Sequence, residues 1–348
     1  MLTLSQATSE TRTALKWGGV VLLGLFLLLI LFRVGGALKG ALFPTPTPPP
    51  TVSFGKLPQI IFPSNASGIN FDYSLNTLTG ALPVFPNKIS VYKISPVPPD
   101  LLALQKSRAK VAAAGFQASE SAISNNVYSW NDGSSLNRTI TMNIFTSNFS
   151  LSSSFTEDHF VQSATNLPDT ATAISTAQSF LSGMSSFPDD IDTSKTKTFL
   201  FSLNNNTLTS ASSFSNTQVI EVDFFQKNIN NLPIYYPKAV NSTMSVLVVG
   251  GQDQPQVAQI NYFHQNISNQ SATYPIITAQ TAFDELKQGK GYIASYFGSS
   301  DYISITNVSL GYYMGDKAQA YLMPVAVFQG DNGFYAYVPL ITDAWVSK

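Results

Sequence analysis

The chain contains no cysteine. That excludes disulfides, thiolate metal sites, iron–sulfur clusters and cysteine nucleophiles. Histidine is nearly absent as well: only His159 and His264 occur, so no zinc site can be built on three imidazoles. Charge is scarce, with 11% of the residues charged against roughly 25% in an ordinary soluble protein. The 19 basic and 20 acidic side chains leave a net charge of −1, so no positive field favours nucleic acid. No phosphate-cradling Gly-rich run, no Gly-x-Ser-x-Gly elbow and no His-Glu-x-x-His pair is present. Neither a cofactor nor an enzymatic activity is expected.

Hydrophobic residues are plentiful at 44%, and 348 residues suffice for one long domain or two modest ones. The strongest local signal is residues 17–34, WGGVVLLGLFLLLILFRV, which carry a single charge at Arg33. At about 1.5 Å per residue the run matches the hydrocarbon thickness of a bilayer. Trp17 suits one headgroup belt, Leu22, Phe26, Leu29 and Phe32 face lipid, and Arg33 snorkels to the other interface. The apolar character goes all round, leaving no amphipathic stripe. No Ala-x-Ala site follows closely, so an uncleaved anchor is expected and not a signal peptide. Basic residues flank both ends (Arg12 and Lys16, then Arg33 and Lys39) and hardly discriminate orientation. The remainder, poor in charge and rich in Ser, Thr and Asn, has an extracytoplasmic character.

Residues 44–50 (PTPTPPP) form a stiff polyproline stalk. Asn-x-Ser/Thr sequons at Asn65, Asn137, Asn148, Asn205, Asn241, Asn266, Asn269 and Asn307 are what this composition produces by chance. Lacking disulfides, the domain fits a bacterial cell envelope better than a eukaryotic secretory pathway.

Beyond the stalk, helical periodicity recurs with a start and a stop signal each time. Pro98-Pro99 opens a helix through Leu101, Leu104, Val111 and Ala112 that Gly115 closes. Asp169 or Thr170 caps a second, and Thr278 caps a third over 279–288 that Gly289 ends. Alternating strands lie between: 87–94, 127–130, 139–145, 198–203, 219–226, 244–249 and 257–263. Three more, 303–313, 318–328 and 334–340, are joined by short Gly/Asx turns and must pair antiparallel. The middle strand is apolar on both faces, so it is covered twice.

Candidate chemistry is thin. Leu167-Pro168-Asp169-Thr170-Ala171 has the form of a sortase pentapeptide but reads as a turn into a helix cap. Asp189, Asp190 and Asp192 cluster without the spacing of a calcium loop. Glu157-Asp158-His159 reads as a surface turn, and His264 as the end of a strand. No metal site is expected. Tyrosines crowd the last third, and Tyr312, Tyr313, Tyr321, Tyr335 and Tyr337 are the candidate binding face, since each ring offers a flat apolar surface and a hydroxyl.

The segments ISITNVSLGYY (303–313), QAYLMPVAVF (319–328) and FYAY (334–337) resemble the closing segment of YycI/YycH-type regulators, and the preceding helix and strand resemble PepSY-like modules. The resemblance implies an N-terminal membrane helix carrying an extracytoplasmic α+β domain that modulates a membrane sensor kinase. The expected organisation is a cytoplasmic tail (1–16), a transmembrane helix (17–34), a Pro/Thr-rich linker (35–58) and two α+β units (59–165 and 166–264). A C-terminal helix and meander (265–348) complete it. The expected partners are the lipid bilayer and a membrane or envelope protein. The alternative is a stalked surface protein binding glycan or cell-wall polymer.

Overall fold

The computed structural model describes residues 17–18, 22–33, 48–64, 71–117, 119–134 and 136–347. It divides into two units, Met1–Pro49 and Pro50–Lys348. In the first, residues 17–18 and 22–33 are helical, and Trp17, Leu22, Phe26, Leu29, Phe32 and Arg33 are exposed. Among the described residues no helix is long and apolar enough to cross a membrane. Residues 19–21 and 34 of the expected span lie outside the described residues, as do the tail 1–16 and linker positions 35–47.

The second unit is sheet-rich α+β. Its chain order begins with β1 (Asp72–Leu75), β2 (Lys88–Ile94) and helix α1 (Ala103–Ala113). Strands β3 (Ser121–Ala122), β4 (Val127–Asn131), β5 (Thr139–Asn143) and β6 (Phe149–Ser152) precede α2 (His159–Gln162) and α3 (Thr170–Gly183). Next come β7 (Lys197–Asn204), β8 (Thr207–Ser210), β9 (Val219–Asp223), β10 (Ile234–Tyr235), β11 (Met244–Val249), β12 (Gln256–Tyr262) and β13 (Ile267–Pro275). Helix α4 (Ala279–Lys287) leads into β14 (Tyr292–Ser295), β15 (Tyr302–Tyr313), β16 (Tyr321–Gly330) and β17 (Tyr335–Pro339).

The strands gather into two sheets and not into three separate meanders. One has nine strands in the order β3-β4-β5-β6-β12-β11-β9-β7-β8, all antiparallel. The other has eight, β1-β15-β16-β17-β14 with β10, β13 and β2 attached. The range of the expected first unit is therefore shared between the sheets: β2, expected at 87–94, pairs with β13 and β16, and β1, which was not expected, pairs parallel with β15. A strand's backbone groups must find partners wherever an open edge exists, and chain proximity is only one way to supply it. The folded unit also starts earlier than the expected linker end: Thr51 and Val52 bond to Thr273, and Leu57 is fully buried.

Local chemistry explains the helices. Asp169 accepts from Thr172 N–H at 2.7 Å and Thr278 from Thr281 N–H at 3.1 Å, each satisfying an orphan donor of the first turn. Helix α1 begins at Ala103, not at the prolines, because Asp100 accepts from Leu102 N–H and ends the turn there; Leu101 is left exposed. Gly115, at φ +87°, and Gly289, at φ +75°, follow α1 and α4 in the left-handed conformation that glycine adopts without strain.

One apolar layer sits between the nine-stranded sheet and α1 and α3, through Val111, Ala177, Leu181, Ile220, Val246 and Ile260. On the other sheet, Phe283 of α4 packs on Phe328, ring centres 5.9 Å apart. The opposite face of β16, Val325 and Val327 beside Tyr313 and Tyr337, is covered by Ile60, Phe62, Tyr235 and Tyr292. Pro324 lies where β16 changes partners along one edge: β2 ends at Leu322 and the β17 ladder begins at Val325. Its carbonyl accepts from Leu340 N–H on that edge, so the missing proline N–H costs no ladder bond.

Candidate functional site

The five expected tyrosines do not form one exposed face. Tyr312, Tyr313 and Tyr337 are buried, and only Tyr321 and Tyr335 are partly exposed. Tyr337 donates to the carbonyl of Tyr236, and Tyr312 to that of Ser90 at 2.8 Å. Burial pushes the phenols of Tyr312, Tyr313 and Tyr337 well above their ordinary range. These rings are core because β15, β16 and β17 carry apolar residues on both faces and the chain's own 60–62 and 235–239 segments close over the second. Of the five expected rings, Tyr312, Tyr313 and Tyr337 are thus core, and Tyr321 and Tyr335 keep partial exposure.

The polar constellation lies elsewhere, and chain distance hid it. His264, just past β12, meets Asp190 of the loop after α3: Nε2 lies 2.9 Å from Asp190 Oδ1 and 3.0 Å from Oδ2. The imidazole side chain is 7% exposed and the carboxylate 36%. Gln226 completes the node, its Nε2 donating to Asp190 Oδ2 at 2.7 Å and to the Gln265 carbonyl at 3.2 Å. Asn148 Oδ1 accepts from His264 N–H, and Gln265 donates to Lys317 O and accepts from Gln319 N–H. Burial raises the Asp190 carboxyl, but the His264 and Gln226 bonds outweigh it and hold it below the ordinary range. The network thus ties the nine-stranded sheet to the turn between β15 and β16.

Above this node opens a groove of about 870 Å³. Its walls come from the end of β2 and the residues after it (Lys93 to Pro98), the end of α1 (Lys110), the β5–β6 turn (Asn143 to Asn148), Ser185, Ser186 and Pro188. Tyr262 to Asn266 and Ala318 to Tyr321 close the far side. Val97 and Phe145 are its exposed apolar side chains. Lys110 donates to Ser147 Oγ at 3.1 Å, and burial pushes its ammonium below the ordinary range.

The other sequence candidates have structural duties. Asp169 caps α3, Asp158 caps α2, and Asp192 caps the turn at 193–195. Asp189 is exposed. Among the described residues no group of three or more His, Asp or Glu is placed to hold a metal. One feature that sequence reading missed is the Glu221–Asp223 pair on β9. Asp223 is fully buried, and burial together with the Glu221 charge pushes its carboxyl up to about 8. An acid at every second strand position was the available signal, because those side chains share a face.

No family model and no curated protein matches the chain. Among solved structures, an uncharacterized protein from Eubacterium rectale is similar over 80% of this chain and 89% of its own, with 13% identity and a TM-score of 0.38. The C-terminal domain of YpeB from Bacillus megaterium is similar over 73% of this chain and 97% of its own, with 11% identity and a TM-score of 0.32.

Proposed function

We propose that the protein is a non-catalytic, single-pass membrane protein whose extracytoplasmic domain binds a membrane or envelope partner in the groove over His264 and Asp190. The observation that carries the reading is the groove itself, a concave site at the meeting of elements from both sheets, floored by a satisfied polar network. Its rigidity follows from that network: each member already has a partner, so a ligand meets a preformed surface. The non-catalytic part rests on the sequence, which carries no Gly-x-Ser-x-Gly elbow, no His-Glu-x-x-His pair and no cysteine. Anchoring rests on the apolar run 17–34, and a regulatory role toward a sensor kinase on the resemblance of 303–337 to YycI/YycH-type regulators.

The test is made in cells. A photo-crosslinking benzoylphenylalanine at Val97, inside the groove, should give a discrete adduct with an envelope component, and one at the fully exposed Leu78, outside the groove lining, should not. Carbonate extraction should leave the protein in the membrane pellet. Equal adducts from both positions, or none from Val97, would overturn the binding reading; release by carbonate would overturn the anchor.

A further inference from the structure

We propose that the groove takes an extended acidic peptide, its carboxylates paired with Lys93 and Lys110. The inference rests on the reading of the groove as the ligand site and adds the chemistry of the ligand.

Charge carries it. Two lysines line the groove and no Asp or Glu does; the Asp190 carboxylate beneath it is already held by His264 and Gln226. Elsewhere in the domain six cations are matched with acids, Lys106 with Asp100, Arg108 with Glu120, Arg138 with Asp132, Lys195 with Asp192, Lys287 with Asp284 and Lys290 with Glu285, while Lys56, Lys197, Lys227, Lys238 and Lys317 stand in no ion pair among the described residues. Lys93 and Lys110 have no carboxylate partner among the described residues. What sets this pair apart is that both line one concavity without an acid in its lining, in a chain of net charge −1. Both are partly buried, and Lys110 meets only a serine hydroxyl. A half-buried ammonium without a counter-charge is held at a cost, and a carboxylate arriving from outside removes that cost.

The remaining lining decides between kinds of anion. No arginine fork and no helix N-terminus faces the groove, and those are the devices that hold phosphate oxygens. Asn143, Ser185 and Asn266 instead offer the donors and acceptors that peptide amides need. Val97 and Phe145, both exposed, provide apolar contacts for the side chains of a peptide.

Calorimetry on the full chain in detergent micelles tests this. The probes are the blocked peptide acetyl-Ala-Glu-Ala-Val-Glu-Ala-amide, its counterpart with both Glu replaced by Gln, and sodium polyphosphate. The acidic peptide should bind, more weakly as salt rises, and its Gln counterpart should not. Lys93→Met and Lys110→Met keep most of the aliphatic stem and should each weaken binding by about tenfold or more, the scale of one charge-assisted bond. Lys110→Arg should bind like the wild type, which keeps the test decisive if a Met variant fails to fold. Equal binding of the Gln peptide, unaltered binding by the folded Met variants, or binding of polyphosphate alone would overturn the proposal. If no probe binds while Val97 still yields its adduct in cells, the acidic-peptide assignment falls and the groove reading stands. If that adduct is missing too, both fall.

Discussion

Asp223→Asn should make the protein more stable at pH 8 and leave it little changed at pH 4. Asp223 sits on β9 between Lys197 of β7 and Ser245 of β11, fully buried, with Glu221 two residues away on the same face. Oδ2 accepts from Ser242 N–H at 2.8 Å, and Oδ1 has no donor among the described residues. Burial and the neighbouring charge raise the folded carboxyl from 3.8 to about 8. Between those two pH values the folded chain holds a proton that the unfolded chain has released. The contribution to stability is therefore complete below about pH 4 and is lost as the pH rises, at about 1.4 kcal/mol per unit. Over that window the loss reaches roughly 5 kcal/mol, and above about pH 8 it levels off. Asparagine keeps an acceptor for Ser242 N–H and carries no charge for Glu221 to repel. Urea unfolding at pH 5, 6, 7 and 8 should give a falling stability for the wild type and a much flatter profile for the variant, with the variant ahead at pH 8. Parallel profiles, or a less stable variant at pH 8, would refute the assignment of a buried proton to Asp223.

Further outcomes follow from the same packing. Tyr337→Phe should cost about 1 kcal/mol in urea unfolding, since it removes the bond to Tyr236 O, whereas Tyr313→Phe should be neutral or stabilising because its buried hydroxyl has no partner among the described residues. Thermal melts of Gly250→Ala should show a clear loss, because a Cβ there would lie 2.0 Å from the backbone oxygen of Thr165. His264→Ala should destabilise by about 1–3 kcal/mol by leaving the Asp190 carboxylate short of a partner. Because the Asp190 carboxyl is lowered, its contribution is present above the ordinary Asp range near pH 4 and lost as the pH falls through the lowered value; urea unfolding of Asp190→Asn should lack that acid limb.

The elements with strong local chemistry were legible in the sequence. Capped helices at Asp169 and Thr278, the apolar strand Met244–Val249 and the hairpins of the last three strands stand where the periodicity placed them. The short or polar strands were not: Asp72–Leu75, Thr207–Ser210 and the ISNQSATYP strand of β13 have no clean alternation, and their pairing comes from open edges of distant strands. The site was hidden for the same reason. Asp190 and His264 are 74 residues apart, and each alone reads as a loop acid and a strand end. Only the packing of the 188–192 loop against the end of β12 makes them a pair. The tyrosines misled in the opposite sense: their crowding was visible, but the cover supplied by Phe62, Tyr235 and Tyr292 was not.

An anchored, exported domain with an open groove is tested most directly by labelling, because the chain has no native cysteine. Ser185 is exposed and lines the groove, so Ser185→Cys gives a single thiol there. A membrane-impermeant maleimide applied to intact cells should label it, the labelled protein should pellet with membranes, and the acidic peptide should slow the reaction. Labelling only after lysis, or label recovered in the soluble fraction, would contradict the account.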